Sequence, residues 1–169
     1  MKLINLYGGP GAGKSTAAAY LFASLKHKHV KAELVGEFAK ELIYLGNEVQ
    51  LVNQVYIMGS QYRKQKDLER CKVDVAISDS PLGLQLHYCE DKHYYEEIKA
   101  LINKLDAEFN NLNILIQRAA PYQAHGRMQT EQESDKISNK IQLSRVFDLV
   151  VPGNNKGLKT LEEFVLSKV

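Results

Sequence analysis

The sequence predicts an α/β fold in which helices cover both faces of a parallel sheet. Short apolar runs alternate with segments of helical periodicity along the 169 residues, and a glycine-rich turn joins the first apolar run to the first helical segment. Polar residues directly follow four of the predicted strands, at the edge where α/β sheets bind ligands. The length indicates one domain with room for a buried core, so we expect a single domain over residues 1–169.

The first elements surround the glycine-rich turn. Residues 2–8 are predicted as the first strand, and residues 14–28 as the first helix. Residues 31–37 are predicted as the second strand. Residues 38–45 continue as a short helix that ends at Gly46.

A long helical pattern covers residues 48–70. Its apolar face is made of Val52, Val55, Tyr56, Gly59 and Tyr62. At about 3.6 residues per turn, four glutamines lie within about 60° on a different face; these are Gln50, Gln54, Gln61 and Gln65. This glutamine stripe is either a solvated face or a surface on which Gln54 or Gln61 hydrogen-bonds the edge of a base.

The second half of the chain continues the alternation. Residues 73–77 are the third strand, closed by Ser78-Asp79-Ser80-Pro81, and residues 82–89 are a short helix or turn. The next helix carries an apolar stripe made of Ile98, Leu101, Ile102, Leu105 and Phe109. Residues 113–117 are the fourth strand, and residues 119–129 are a polar loop.

The last elements begin at a helix-start signal. Thr130 and Glu133 stand at the spacing of a capping box, which opens a helix to about residue 146. Residues 148–151 are predicted as a short fifth strand, followed by a turn over residues 152–154. Residues 158–166 close the chain as a helix.

The glycine-rich turn has the pattern of a phosphate-binding loop, G-x-x-x-x-G-K-[ST]. Its glycines allow backbone N–H groups to surround a phosphate chain. Lys14 is placed to reach the β- and γ-phosphates, and the Ser15 hydroxyl to ligate Mg²⁺. We therefore expect the chain to bind ATP and Mg²⁺ through Gly8, Gly9, Gly11, Ala12, Gly13, Lys14, Ser15 and Thr16.

Two carboxylates follow predicted strands. Asp79 is expected either to hold Mg²⁺ opposite Ser15 or to orient the acceptor hydroxyl, and its structural alternative is a turn or helix cap. Glu37 is expected to accept the proton of an attacking hydroxyl or to bind an acceptor sugar. Its structural alternative is a favourable charge at a helix N-terminus. Which of the two is the catalytic base stays open.

Two arginines are candidates for stabilising the transferred phosphoryl group. Arg118 ends the fourth strand and Arg127 lies in the following loop, where guanidinium groups suit the charge on the γ-phosphate oxygens. Gly126 beside Arg127 suits a loop that closes over the nucleotide and excludes water. The alternative is that both arginines are solvated.

A basic stretch over residues 63–72, which includes Arg63, is interpreted as a solvated helix end or as a contact with an acceptor phosphate or a nucleic-acid backbone. The turn Pro152-Gly153-Asn154 is expected to pack on the adenine ring.

Net charge, hydrophobic run length and cysteine spacing limit the classes of protein to which the chain can belong. A net charge of +2 does not by itself indicate nucleic-acid or membrane binding. No stretch reaches the roughly 20 apolar residues of a membrane span. The two cysteines have no metal or redox spacing and suit a reducing compartment, so the cytoplasm is the expected location.

Together these residues resemble the P-loop kinases of nucleosides, nucleotides and similar small acceptors. The resemblance rests on Gly8–Ser15, Glu37, Ser78–Pro81, Arg118, Gly126-Arg127 and the acidic helix start at residues 130–133. It implies a three-layer α/β/α fold with a five-stranded parallel sheet in the order 2-3-1-4-5. It also implies a short arginine-bearing lid over residues 119–129 and an acceptor pocket between the second strand and the long helix.

More narrowly, Glu37–Lys40, Gln61-Tyr62-Arg63 and Asp79-Ser80-Pro81 look like a compact group of kinase-like ATPases common in tailed-phage genomes. Some relatives phosphorylate nicotinamide riboside, and others act on hydroxymethylated pyrimidines in DNA. Ser80 stands where deoxynucleoside kinases usually carry an arginine, and the Asp-Arg pair of thymidylate kinases is absent for the same reason. The resemblance therefore leaves the acceptor open.

The function expected from the sequence is an ATP–Mg²⁺ phosphotransferase acting on a nucleoside- or nucleotide-type acceptor. The expected catalytic residues are Lys14, Glu37, Asp79, Arg118 and Arg127, and the expected acceptor contacts are Glu37, Gln54, Gln61 and Arg63. Two alternatives stay open: a kinase for a hydroxymethylated base in DNA, and an NTPase switch without an acceptor. Assembly as a homodimer is also left open.

Overall fold

The strands form one parallel sheet. The computed structural model describes residues 1–89, 94–123 and 130–169. The strands are β1 (Lys2–Tyr7), β2 (Ala32–Val35), β3 (Val75–Ser78), β4 (Asn110–Gln117) and β5 (Leu149–Pro152). Their spatial order is β2-β3-β1-β4-β5, and every neighbouring pair is parallel. The predicted strand order is confirmed.

Helices cover both faces of the sheet, as predicted. The helices are α1 (Lys14–His27), α2 (Phe38–Tyr44), α3 (Gln54–Arg70), α4 (Tyr95–Asp106), α5 (Glu131–Ser144) and α6 (Asn155–Leu166). Two short segments, Glu48–Val52 and Leu82–His87, are 3₁₀ helices. In the described part of the chain, no helix is both long and apolar enough to cross a bilayer.

Alternating side chains divide the core into two layers. On one face of the sheet, Ile4, Ile77 and Ile116 are buried against Leu21 of α1 and Leu161 of α6. The opposite face is covered by α3, α5 and the second 3₁₀ segment, and α4 packs against them. Each large apolar side chain buried in this way contributes about 1.5–3 kcal/mol. The two layers hold the carboxyl ends of the strands in fixed positions at one edge.

The long helix predicted over residues 48–70 is interrupted at Asn53. The Asn53 side chain accepts a hydrogen bond from Tyr56 N at 3.0 Å, and this cap starts α3 at Gln54. The interruption exposes 84% of Val52 and 56% of Val55, so the apolar face assigned from the sequence is not the buried face. The buried residues of α3 are Ile57, Met58, Gln61 and Gln65.

The start of β4 lies earlier than the sequence indicated. The strand begins at Asn110, because its asparagines pair inside the fold. Asn5 Nδ2 of β1 donates to Asn111 Oδ1 at 2.8 Å and to Asn113 Oδ1 at 3.1 Å. Arg145, which follows α5, donates to Asn113 Oδ1 and to the Tyr7 hydroxyl. Asparagine is depleted in strands, so the pattern alone did not indicate these pairings.

Candidate nucleotide and phosphoryl-transfer site

The phosphate-binding loop connects β1 to α1, as the motif predicted. Gly13 immediately precedes α1 with a φ of +95°, a left-handed conformation that favours glycine. A Cβ placed on Gly8 would lie 2.6 Å from the Ile116 backbone oxygen, so only glycine allows this approach to β4. The loop backbone is thereby held against the carboxyl end of the central strands.

The Lys14 ammonium lies inside the curve of this loop. Its Nζ atom donates to the carbonyl oxygens of Gly8 at 2.8 Å and Gly9 at 3.2 Å. The outer side of the loop is anchored by α5, where the Ser134 hydroxyl donates to Pro10 O at 2.7 Å. Ser134 is fully buried, and nothing in the sequence pattern had indicated it. The loop is therefore held by Lys14 on its inner side and by Ser134 on its outer side.

Asp79 and Ser15 meet across the end of β3. The Ser15 hydroxyl donates to Asp79 Oδ2 at 2.8 Å, while the buried Oδ1 atom has no hydrogen-bond partner in the described ranges. A hydroxyl beside a carboxylate with one unmatched oxygen is a donor set that suits Mg²⁺, which prefers oxygen ligands and keeps waters and phosphates in its remaining positions. The two residues fit the metal role assigned to them from the sequence.

Glu37 lies at the same edge, two residues after β2, at the start of α2. Burial raises the pKa of this carboxyl, the Lys14 charge opposes the rise, and the Asp79 charge adds to it. Tyr88 also interacts electrostatically with Glu37. Burial, together with the Glu37 charge, raises the pKa of the Tyr88 phenol to about 12. The sequence had not singled out Tyr88. The charges of Lys14 and Asp79 therefore both act on the Glu37 carboxyl.

Arg118 follows β4 as predicted, but its guanidinium group is engaged by α5. It is hydrogen-bonded to Asp135, lies 3.5 Å from a Glu131 oxygen, and lies over the Tyr122 ring at 5.4 Å. The same residue borders a cleft of about 320 Å³ that reaches Gly8. The position of Arg118 at the end of a strand does not by itself indicate these acidic partners on α5.

Arg127 and the end of the predicted lid lie at residues 124–129, outside the described residues, so the roles assigned to them remain predictions.

The turn after β5 touches the phosphate-binding loop. A Cβ on Gly153 would lie 2.2 Å from Ala12 O, which explains why a glycine occupies this contact. Beside it is a second cleft of about 220 Å³, whose lining includes Gly11, Thr16, Pro121 and Gly153. The Asn154 side chain caps α6 by accepting from Gly157 N at 3.0 Å. Of the predicted turn, Gly153 is the residue that lines the cleft.

The predicted acceptor contacts separate into different environments. Gln61 is fully buried and its Oε1 atom accepts from Phe38 N at 3.1 Å. Gln54 Nε2 donates to Leu51 O at the start of α3. The Arg63 side chain is 83% exposed and pairs with Asp67. Because Gln61 and Gln65 are fully buried, the solvated-face interpretation of the glutamine stripe is wrong for these two residues.

A family model described as an AAA domain matches residues 3–144, which include the phosphate-binding loop, Glu37, Asp79 and Arg118. No curated protein sequence matches the chain significantly.

Solved structures with the same fold include two kinases. APS kinase from Mycobacterium tuberculosis in complex with AMPPNP and APS superimposes with a TM-score of 0.59 at 18% identity, covering 98% of this chain and 95% of that chain. Deoxyadenosine kinase from M. mycoides with bound dCTP has a TM-score of 0.58 at 17% identity, covering all of both chains. These similarities show the fold of the P-loop nucleotide kinases. Neither structure comes from a phage, so the narrower resemblance remains a prediction.

Proposed function

From the premise that this chain belongs to the AAA domain family and has the P-loop nucleotide kinase fold, we propose that it is an ATP–Mg²⁺-dependent phosphotransferase. It moves the γ-phosphoryl group of ATP to a hydroxyl of a nucleoside- or nucleotide-type acceptor. Its proposed place of action is the cytoplasm, or the host cytoplasm if the chain is phage-encoded.

One observation carries the proposal: a cation, a hydrogen-bonded hydroxyl–carboxylate pair and a partly buried carboxylate converge at one sheet edge. Lys14 lies inside the phosphate-binding loop, and the Ser15 hydroxyl is hydrogen-bonded to Asp79. The charges of Lys14 and Asp79 both act on Glu37, whose pKa is raised by burial. Phosphoryl transfer requires positioning and charge stabilisation rather than covalent help from the protein, and these four residues supply both. The partly buried Glu37 carboxylate supplies a proton acceptor for an attacking hydroxyl.

The proposed reaction assigns each residue one task. The loop backbone and Lys14 bind the β- and γ-phosphates, and Glu37 accepts the proton of the acceptor hydroxyl as its oxygen attacks the γ-phosphorus. Ser15 and Asp79 would hold Mg²⁺, which when bound neutralises charge on the phosphate oxygens. Because Asp79 is already engaged by Ser15, Glu37 is the better candidate for the base. The cleft at Gly153 suits the nucleotide base.

Arg118 is proposed to stabilise the transferred group after its contacts with Asp135 and Glu131 are exchanged for phosphate oxygens. Its cleft also reaches Gly8 of the phosphate-binding loop, which supports this role. Arg127 and a lid over residues 119–129 remain predictions of the same kind.

The destination of labelled γ-phosphate tests the proposal. The protein is incubated with γ-labelled ATP and Mg²⁺ together with nucleosides, nucleoside monophosphates, nicotinamide riboside, and DNA with or without hydroxymethyluracil. We expect label on a small molecule. Label on DNA would support the base-modification alternative, and activity would then fall steeply with salt. Label recovered only as free phosphate would contradict the phosphotransferase proposal and support the switch.

Asp79→Asn is expected to raise the Mg²⁺ concentration needed for half-maximal activity by about 10- to 100-fold. The amide replaces a negatively charged ligand oxygen by a neutral group, so the metal loses the negative charge that Asp79 would supply. A Mg²⁺ titration of initial rates at saturating ATP measures the change. Asp67→Asn is the control, because Asp67 lies on α3 in exposed pairs with Arg63 and Arg70. Identical titrations for wild type and Asp79→Asn would leave Asp79 as a turn residue only.

A further inference from the structure

An apolar surface is left uncovered where α2 leads into α3. Half of the large apolar side chains that are exposed in the described ranges lie within residues 43–56. These are Ile43, Tyr44, Leu45, Val49, Val52, Val55 and Tyr56, and we call them the α2–α3 apolar surface. Single exposed apolar residues are normal on a protein surface, whereas a cluster of them marks a site of interaction.

The elements that carry these residues are in contact with one another. Only two residues separate Leu45, which caps α2, from the first 3₁₀ segment. Val49 and Val52 are three residues apart in that segment and lie on one side of it. In the first turn of α3, the Tyr56 ring packs edge-on against the Phe38 ring of α2, with 5.3 Å between their centroids. The exposed residues therefore belong to one continuous region of the surface.

Gly59 extends the α2–α3 apolar surface along α3. It lies one helical turn after Val55 and is exposed. A Cβ placed on Gly59 would meet no atom within 4 Å, so no neighbour in the described chain requires a glycine there. Glycine weakens a helix interior, but it allows a second helix to approach closely. Four of the five residues in the apolar stripe predicted from the sequence thus face outward, namely Val52, Val55, Tyr56 and Gly59.

The size of this surface matches one side of a stable protein interface. Val49 is 82% exposed and Val52 84%. With roughly 150 Å² for each fully exposed side chain of this size, the seven residues expose about 700 Å² per protomer. The largest apolar patch on a typical monomer is about 300–600 Å². A standard interface buries about 800 Å² on each partner, so two copies of this surface are sufficient to form one.

Charge at this surface favours an apolar partner. Residues 43–56 contain a single charged residue, Glu48, and no lysine or arginine. Nucleic acids and lipid surfaces are both bound through clustered cations, which this stretch lacks. In a two-fold symmetric contact the same surface meets itself, so like charges would be brought together. A surface that carries almost no charge avoids this repulsion.

We infer that a second copy of this chain covers the α2–α3 apolar surface in a two-fold symmetric homodimer. The two α3 helices cross near Gly59, where neither carries a side chain that would keep them apart. Around the crossing, Val52, Val55 and Tyr56 of both copies pack together and lose their contact with water. This inference is independent of the reaction that the protein catalyses.

The mass of the full chain in solution tests the homodimer. Sedimentation velocity across the micromolar range should show a species of twice the 19.1 kDa chain mass. Val52→Lys is expected to raise the dissociation constant of the dimer by about 100-fold or more, because it places a charge in the apolar contact. Val146→Lys is the matched control, since Val146 is 93% exposed but follows α5, outside the α2–α3 apolar surface. The control should keep the dissociation constant of wild type.

A wild-type protein that is monomeric throughout, or an equal effect of Val52→Lys and Val146→Lys, would overturn the inference. Phosphatidylcholine vesicles and duplex DNA are tested beside it. A monomer that binds either of them, and loses that binding in Val52→Lys, would assign the surface to lipid or nucleic acid instead.

Gly59→Gln tests the helix crossing. Because a Cβ at this position meets nothing in the described chain, the variant should fold with an unchanged or higher melting temperature. Its side chain should hold the two helices apart and raise the dissociation constant about tenfold or more. A folded Gly59→Gln variant with the dissociation constant of wild type would overturn the crossing. Thermal melting verifies the folding of each variant, and Gly59→Gln decides if Val52→Lys does not fold.

Discussion

Replacing Lys14 with alanine is expected to lower kcat by about 100- to 1000-fold while the protein remains folded. The ammonium lies inside the phosphate-binding loop, bonded to the carbonyl oxygens of Gly8 and Gly9, where it would meet the β- and γ-phosphates of ATP. Alanine removes the cation from the place where negative charge moves during transfer. Initial rates at saturating ATP and acceptor measure kcat, and thermal melting measures stability.

The control for this prediction is Lys26→Ala. Lys26 lies on the same helix, and its Nζ atom is 2.9 Å from a Glu33 oxygen in an exposed ion pair. Such pairs contribute little to stability, so both activity and melting temperature should stay close to wild type. An unchanged kcat in Lys14→Ala would refute the central assignment of the site.

Glu37→Gln is expected to lower kcat/KM by about 100-fold, because glutamine cannot accept the acceptor proton. The wild-type protein should also lose kcat/KM toward acid pH, since the base works only when it is ionised. Burial, with a contribution from Asp79, raises the pKa of Glu37, so this loss should begin at a higher pH than for an ordinary glutamate. A pH profile of kcat/KM measures both effects.

In the Glu37→Gln variant the acid-side decline should disappear together with most of the activity. Glu41→Gln is the matched control, since Glu41 lies on α2, one turn farther on, in an ion pair with Lys64. That variant should keep both the rate and the pH profile of wild type. A Glu37→Gln variant that retains full kcat/KM would show that another group accepts the proton.

Much of the fold could be predicted from the sequence because its signals are local. Alternating apolar segments identified all five strands, and the Thr130–Glu133 capping box marked the start of α5, where both of its hydrogen bonds are present. The order of the strands came from the family resemblance and is confirmed. Elements were misplaced where polar side chains pair inside the fold, as in β4, or where a cap interrupts a helical pattern, as at Asn53.

Part of the candidate site could be predicted because its residues belong to a contiguous motif or follow strands. Lys14 and Ser15 belong to a contiguous motif, and Asp79 and Glu37 follow strands, so the rule that parallel strands end at one edge was sufficient to group them. The acidic partners of Arg118 and the proximity of Tyr88 to Glu37 depend on contacts between distant segments. No spacing in the sequence records these contacts.

Local sequence signals were sufficient to assign the phosphate-binding loop and the alternation of elements that places Glu37 and Asp79 at one sheet edge. Backbone conformation and strand direction decide these features, and both are encoded by nearby residues. Packing between distant segments determines that Gln61 and Gln65 are fully buried while the Arg63 side chain is exposed. A glutamine and an arginine are both polar in a sequence pattern. Which of them is removed from water depends on the elements that pack over it.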